Sequence, residues 1–308
     1  MNQAVKATFD TSVRPEVTPF FDELTNTLSY VARDPASKAC AVVDCVMDLD
    51  YPSGSVSFNG ADQIIAYISD KQLELRWILE THVHADHLSA APYIQHRLGG
   101  EIAIGSNISV VQHVFGQVFD AGPEFARDGS QFDRLLDDGD SIQVGQMAGC
   151  ALHTPGHTPA CMTYVLGDAI FIGDTMFMPD GGTARVDFPG GDAATLYQST
   201  QRILSLPGEM RIFVCHDYLP NGRELEYETT VAAQLQSNIH VKRTISESSF
   251  VEMRNARDAT LGMPTLILPA LQVNMRGGRL PPAADSGQIF LKLPLNAFGG
   301  ADMTDITS

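Results

Sequence analysis

Apolar residues along this chain fall into short runs broken by polar and glycine-rich turns, and the spacing within each run predicts its element. Strand-like runs open the chain at Thr27 to Ala32 and Ala39 to Asp44, a meander suited to a sheet edge. Residues 60–72 carry Ile64, Ile65 and Ile68 at helical spacing, with Asp62 as the capping residue. A short strand is expected at Arg76 to Glu80. A helix then covers 88–98 and stops at Gly99-Gly100, because glycine accepts the left-handed conformation that ends a helix. Ile108, Val111, Val114, Phe115, Val118 and Phe119 recur at helical spacing and predict an amphipathic helix over 106–119, followed by a polar loop through Gly139. Strands return at Gly149 to His153, Cys161 to Leu166 and Ala169 to Ile172. Leu196 to Leu206 reads as a helix and Arg211 to Cys215 as a strand. Strands mixed with helices in two rounds predict an α/β fold of two packed sheets with helices outside. The tail from 262, with Pro264, Pro269, Pro281, Pro282 and Pro294, reads as irregular chain laid against the body.

Composition narrows the classes of function. A net charge of −17 argues against nucleic acid as a partner, since phosphate binding needs a basic surface, but a few local cations would still hold a small anion. No apolar run approaches the roughly 18 residues of a membrane span. The opening Met1-Asn2-Gln3-Ala4-Val5-Lys6 lacks the basic and apolar regions of a signal peptide, so a cytoplasmic location is expected. The five cysteines are odd in number and form no CxxC pair, which fits reduced thiols better than a disulfide framework or a cysteine zinc site. Cys161 and Cys215 lie in apolar surroundings and read as packing thiols.

The chemistry is concentrated in Thr81-His82-Val83-His84-Ala85-Asp86-His87, which places three imidazoles and a carboxylate in six residues directly after an apolar run. Imidazoles packed this densely repel when protonated and need partners when neutral, so a metal accounts for them most simply. Asp86 and His87 follow as the chain turns into a helix. Three further segments follow strands: Thr154-Pro155-Gly156-His157-Thr158, Gly173-Asp174-Thr175 and Cys215-His216-Asp217-Tyr218. His153 reads as a supporting or core residue and His113 as part of its helix. Imidazole and carboxylate donors suit Zn, Fe, Mn or Co. The donors suffice for two ions, with His82, His84, His157 and Asp174 on one side and Asp86, His87, His216 and a shared Asp174 on the other. Two such ions favour hydrolysis, whereas two histidines and one carboxylate around a single Fe(II) leave open positions for O2 and a substrate.

In the order HxHxDH (82–87), TPGHT (154–158), GD (173–174) and a late His216, the chain resembles the metallo-β-lactamase superfamily over residues 20–240. Within it, Thr154 to Tyr164, Gly173 to Phe177, Thr183-Ala184-Arg185-Val186-Asp187-Phe188, Leu196-Tyr197 and Cys215 to Tyr218 are similar to the persulfide dioxygenase (sulfur dioxygenase) and glyoxalase II branch. The Arg-x-Asp-Phe and His-Asp-Tyr elements favour the dioxygenase side, and the bacterial β-lactamase-like hydrolases of sulfide-detoxification operons look nearest. No fused rhodanese-like domain is evident.

The resemblance implies an αββα sandwich of two mixed β-sheets with a metal at one edge. Residues 1–245 would form the catalytic domain, with a helical and loop insertion around 105–140, and 246–308 a C-terminal extension packed on it. It implies one Fe(II) per chain held by His82, His157 and Asp174, with His84, Asp86, His87 and His216 lining a neighbouring second site. One or two Zn ions are the alternative cofactors. The implied reaction takes glutathione persulfide, O2 and water to glutathione and sulfite. The alternative is dinuclear hydrolysis of a thioester such as S-lactoylglutathione, or of a lactone. His84, Asp86 and Arg185 are the catalytic candidates, and Arg185, Tyr197, Arg223, Arg254 and Arg257 the candidates for holding a small thiol or persulfide substrate. The insertion and tail are the candidate surfaces of a homodimer.

Overall fold

The computed structural model describes residues 9–300, so Met1 to Lys6, where a targeting segment would lie, fall outside the described residues. The first half of the chain runs β1 (Glu16–Asp22), β2 (Thr27–Arg33), β3 (Ala39–Val43), β4 (Val46–Asp50), β5 (Ser55–Ser57), α1 (Asn59–Asp70), β6 (Glu74–Leu79), β7 (Leu88–Ser89), α2 (Ala91–Leu98), β8 (Glu101–Gly105), α3 (Ile108–Val118) and β9 (Arg134–Leu136). The second half runs β10 (Ser141–Val144), β11 (Met147–His153), β12 (Met162–Leu166), β13 (Ala169–Phe171), α4 (Ala193–Leu204), β14 (Arg211–Phe213), β15 (Glu228–Thr230), α5 (Val231–Ser237), α6 (Glu247–Asp258) and α7 (Ile267–Asn274). One six-stranded sheet has the order β1-β2-β3-β6-β8-β9, antiparallel as far as β3 and parallel beyond it. The other has the order β10-β11-β12-β13-β14-β15, with β13 and β14 as its parallel pair. A small sheet, β5-β4-β7, stands apart. The expected α/β sandwich of two mixed sheets with flanking helices is what forms.

Period-two alternation decides which face each strand residue takes. Leu28, Tyr30, Ala32, Ala41 and Val43 join a core made with the second sheet, while Val31, Cys40, Val42 and Ile78 join another made with α1, α2, α3 and α7. Across the seam, Tyr30 packs against Phe171 and Phe213 at ring centroids of 5.5 and 5.4 Å. Its buried hydroxyl donates to the Val214 carbonyl at 2.6 Å, and the Tyr164 hydroxyl donates to the Glu80 carbonyl at 2.8 Å. The sheets are therefore registered by aromatic rings whose polar ends find partners on the opposite sheet.

Several expectations need correction. Asp62 is not the cap of α1; Phe58 holds that position, and Asp62 lies in the first turn, accepting from the Tyr93 hydroxyl at 2.8 Å. The helix expected over 88–98 begins at Ala91, because Leu88 and Ser89 pair with β4 instead. The loop expected through Gly139 contains β9, which pairs with β8 and weaves residues 101–136 into the first sheet. Three residues are too few for alternation to announce a strand. The tail is not irregular throughout: 267–274 form α7, whose Pro269 sits in the first turn, where a missing N–H breaks no helical bond. β1, β4, β5, β8, β10, β15, α5 and α6 come without a sequence expectation.

Strand ends deliver the chemistry. β3 leads into Asp44, β6 into the histidine motif, β11 into TPGHT, β13 into Gly173-Asp174 and β14 into Cys215-His216. In the TPGHT turn Gly156 has φ +138°, and a Cβ there would lie 2.3 Å from Leu196 Cα. The Gly156 carbonyl also accepts from the Asp192 amide at 2.9 Å, seating α4 flush on the turn. Gly156→Ala should destabilise the protein by about 1–3 kcal/mol, as overpacking does, read as a lower urea midpoint; an unchanged midpoint would show that the turn has slack.

Candidate metal centre

Five histidines from both sheets converge beneath a cavity of about 450 Å³, each with one ring nitrogen turned outward to a partner. His82 Nδ1 meets Thr81 Oγ1 at 3.0 Å, and that hydroxyl in turn donates to Asp44 Oδ2 at 2.8 Å. His84 Nε2 meets Asp44 Oδ1 at 3.0 Å. His157 Nδ1 meets the Arg185 carbonyl at 2.7 Å, and His216 Nδ1 the Asn26 carbonyl at 3.2 Å. His87 Nδ1 faces the Leu88 carbonyl at 3.4 Å. These acceptors assign each tautomer and turn the other ring nitrogen inward as a lone pair.

The inward atoms engage, where they engage at all, only one another. His82 Nε2, His84 Nδ1, His87 Nε2, His216 Nε2 and Asp174 Oδ1 are buried without a hydrogen-bond partner. Leaving that many buried polar atoms unpaired is expensive unless a cation takes them. They form two groups. His82, His157 and Asp174 converge in one, with Asp174 Oδ2 at 3.9 Å from His82 Nε2 and 3.7 Å from His157 Nε2. Those separations are too long for hydrogen bonds and suit donors around one ion. His84, His87, Cys215 and His216 converge in the other. Asp86 Oδ2 and Asp174 Oδ1 approach His216 Nε2 at 3.2 and 3.3 Å from the first group's side.

Electrostatics agrees with the donor geometry. Burial, with His84 next, holds His82 well below its ordinary range, and the same causes bring His87 down to about 3. Burial also opposes charge on His84 and His216, but Asp44 raises the first to about 9, and Asp86 with Asp174 raises the second to about 10. Burial opposes ionisation of Asp174 as well, and His216, His82 and His157 outweigh it. A cation bound among these carboxylates would displace the protons that His84 and His216 otherwise carry on their inward nitrogens, leaving the lone pairs free to coordinate. Glu80 lies behind the cluster, raised to about 7 by burial and by Asp44, and accepts from Ser89 Oγ at 2.7 Å. Asp44, Glu80 and His84 make a third convergent group.

The other candidates divide sharply. His157, Asp174, Asp86, Arg185, Arg254 and Arg257 line the cavity, together with Phe177, Phe188 and Tyr218. His84, a catalytic candidate, does not reach it and stands fully buried among the donors. Arg185 is already engaged: Asp187 takes it bidentately at 2.6 and 2.6 Å, and its Nη1 donates to the Gly262 carbonyl at 2.7 Å. Arg254 is 1% exposed and spends its charge on Asp258 at 2.5 Å, so it is a wall rather than a substrate clamp. Its Nη1 donates to the Thr183 carbonyl, and Asp258 accepts from the Val186 amide, which props up the segment carrying Arg185. Arg223 is bound to Asp180 and Asp217 away from the cavity lining. Tyr197 also misses the cavity, because its hydroxyl donates to the Ile245 carbonyl and its ring packs on Phe250. Arg257 lines the cavity with no ion pair among the described residues.

A superfamily model described as Metallo-beta-lactamase superfamily matches residues 23–216. The chain belongs to that superfamily. It is 56% identical over 288 residues to a probable metallo-hydrolase of Burkholderia pseudomallei (strain 1710b), covering 90% of this chain and 98% of that one. It is also 29% identical over 267 residues to the mitochondrial persulfide dioxygenase of Homo sapiens, covering 86% and 89%. Among solved structures it resembles ETHE1 from Myxococcus xanthus, with a TM-score of 0.68, 27% identity and coverage of 86% and 100%. As a member of this superfamily the protein is a metal-dependent enzyme, with a site fit for its hydrolase or dioxygenase chemistry.

Sequence reasoning missed Asp44, Glu80 and the place of Cys215 in the second group, and read Tyr218 only as part of a family motif. Asp44 carried one signal, an acidic residue at the end of an otherwise apolar strand run. Thr81→Val, which removes the hydroxyl between His82 and Asp44, should weaken metal affinity by roughly 10–100-fold, the usual worth of an outer partner. Competition with a chelator measures it, and unchanged affinity would refute the relay.

Proposed function

We propose that the protein is an iron-dependent persulfide dioxygenase, converting glutathione persulfide, O2 and water to glutathione and sulfite. The observation that supports this most is which donors meet the cavity. Two members of the first group, His157 and Asp174, line it, with His82 buried just behind them, whereas no member of the His84–His87–Cys215–His216 group does. A two-histidine, one-carboxylate set with one histidine and the carboxylate open to the cavity suits Fe(II), which when bound would supply the redox chemistry with O2. The 29% identity to a persulfide dioxygenase points the same way.

The chain's own residues bind and orient the substrate. Phe177 and Phe188 give the cavity apolar walls, and Tyr218 stacks on His216 at 5.7 Å between ring centroids. Asp86 presents a partly exposed carboxylate at the floor. Glutathione carries two carboxylates, and Arg257 is the cation at the rim that is left to receive one. Arg185, neutralised by Asp187, holds the 262 loop as the facing wall. A second reading is a dinuclear zinc hydrolase of a thioester or lactone. The complete second donor group and the 56% identity to a probable metallo-hydrolase favour it.

Protein purified under anaerobic conditions should hold about one iron per chain and consume O2 with glutathione persulfide. Two zinc ions, no O2 uptake and thioester cleavage would instead support the hydrolase. Asp174→Asn should remove iron and turnover together, because water does not replace an anionic ligand at equal affinity. Arg257→Ala should raise KM for glutathione persulfide roughly tenfold, the value of about 1.4 kcal/mol from one charge-assisted hydrogen bond, and leave kcat nearly unchanged. A KM that does not move would take the carboxylate away from Arg257.

A further inference from the structure

The loop that carries the histidine motif has almost nothing of its own to hold it. Among the described residues, 82–87 make no backbone–backbone hydrogen bond. Their carbonyls are instead met by a side chain almost two hundred residues downstream. Asn274 Nδ2 donates to the His84 carbonyl at 2.9 Å and to the His87 carbonyl at 2.8 Å. Asn274 Oδ1 accepts from the Ser89 amide at 2.8 Å. Both amide hydrogens and the carbonyl oxygen of the carboxamide are thereby used, and the residue is 4% exposed.

Asn274 is itself held rigidly. It is the last residue of α7, whose Ile267, Ala270, Leu271 and Val273 share a core with Val83, Ala85 and Leu88. The Met275 carbonyl accepts from Gln112 Nε2 at 2.9 Å, tying the helix end to α3. Gly278, with φ +79°, lets the chain pass where a Cβ would lie 2.8 Å from the Ser89 carbonyl. The three hydrogen bonds bracket the turn from His84 to His87, including Asp86 at the cavity floor. His82 is fixed separately through Thr81 and Asp44.

We propose that Asn274 is a positioning residue which shapes the 84–87 turn, and through it the second donor group, leaving the His82–His157–Asp174 group to other supports. The C-terminal segment then completes the metal centre as well as walling the cavity. The proposal rests on the metal reading of both groups: the second group takes an ion supplied in titration even where the working enzyme holds one iron in the first.

Titration of the full chain with Co(II), followed by its visible absorption and by metal analysis, tests this. The first equivalent should bind Asn274→Ala as it binds the wild type. The second should bind the variant at least tenfold more weakly, with an altered spectrum, in line with the roughly 10–100-fold effects of outer partners. Gln272→Ala is the control: it removes hydrogen bonds from α7 to the Leu268 and Lys292 carbonyls without touching the loop, and should leave both equivalents unchanged. Equal weakening by the two variants would reduce Asn274 to general support of the tail and overturn the proposal. So would a second equivalent that binds Asn274→Ala normally, equal loss of both equivalents in that variant, or a wild type that takes up one equivalent alone. A wild type that takes up no Co(II) would strike the metal reading itself, a result distinct from all of these.

Discussion

Much of this centre depends on one buried carboxylate. Asp44 follows β3 in the left-handed region, with φ +49°, a conformation that aspartate tolerates better than most residues. Its backbone amide bonds to the Leu79 carbonyl at 3.0 Å, and its own carbonyl accepts from Ser29 Oγ at 2.7 Å, so β2, β3 and β6 are laced at one point. Its side chain then accepts from the Thr81 amide, the Thr81 hydroxyl and His84 Nε2. A charge buried this deeply survives only with all its lone pairs used. The same bonds that satisfy it turn His82 and His84 so that their free nitrogens face inward.

The order of control runs from strand ends inward. Each donor leaves its strand at the edge where the two sheets meet, so the backbone sets position to within a side chain's reach. Outward acceptors then choose the ring nitrogen, and the cluster's own negative charge sets its demand for a cation. Around this the cavity is finished by segments with other duties: Arg254 and Asp258 buttress the 183–186 stretch, and Arg185 closes the 262 loop against it. Cations that look available along the chain are mostly consumed in that framing, which leaves Arg257 as the unpaired one at the rim among the described residues.

How much was legible in the sequence follows from the range of each interaction. The motif at 82–87, the TPGHT turn, Asp174 and His216 were readable because imidazoles crowded at strand ends fit little besides a metal site. The two-sheet α/β architecture followed from two rounds of strand and helix spacing. Short strands such as β9 were invisible because three residues carry no period. Asn274 was invisible because nothing local distinguishes it from any polar helix end; its meaning is a contact with the loop at 84–89. Arg254 was misread, although Asp258 four residues on was a usable sign of a helical ion pair. Tyr197 was carried over from a family motif and Arg223 was offered as an available cation, while Ile245 and Asp180, which engage them, lie 48 and 43 residues away along the chain.

The donors come from opposite sides of the seam: His82 from the first sheet, and His157, Asp174 and His216 from the second. An ion held among them is a cross-link between the two halves of the chain, made by coordination rather than by covalent bonds. Its binding energy then counts toward holding the halves together, and each tenfold rise of free metal above its dissociation constant adds about 1.4 kcal/mol to the cost of unfolding. Metal supply is therefore a mechanical variable here as well as a chemical one. A cell short of that ion would hold an enzyme that is both idle and loosened at its seam.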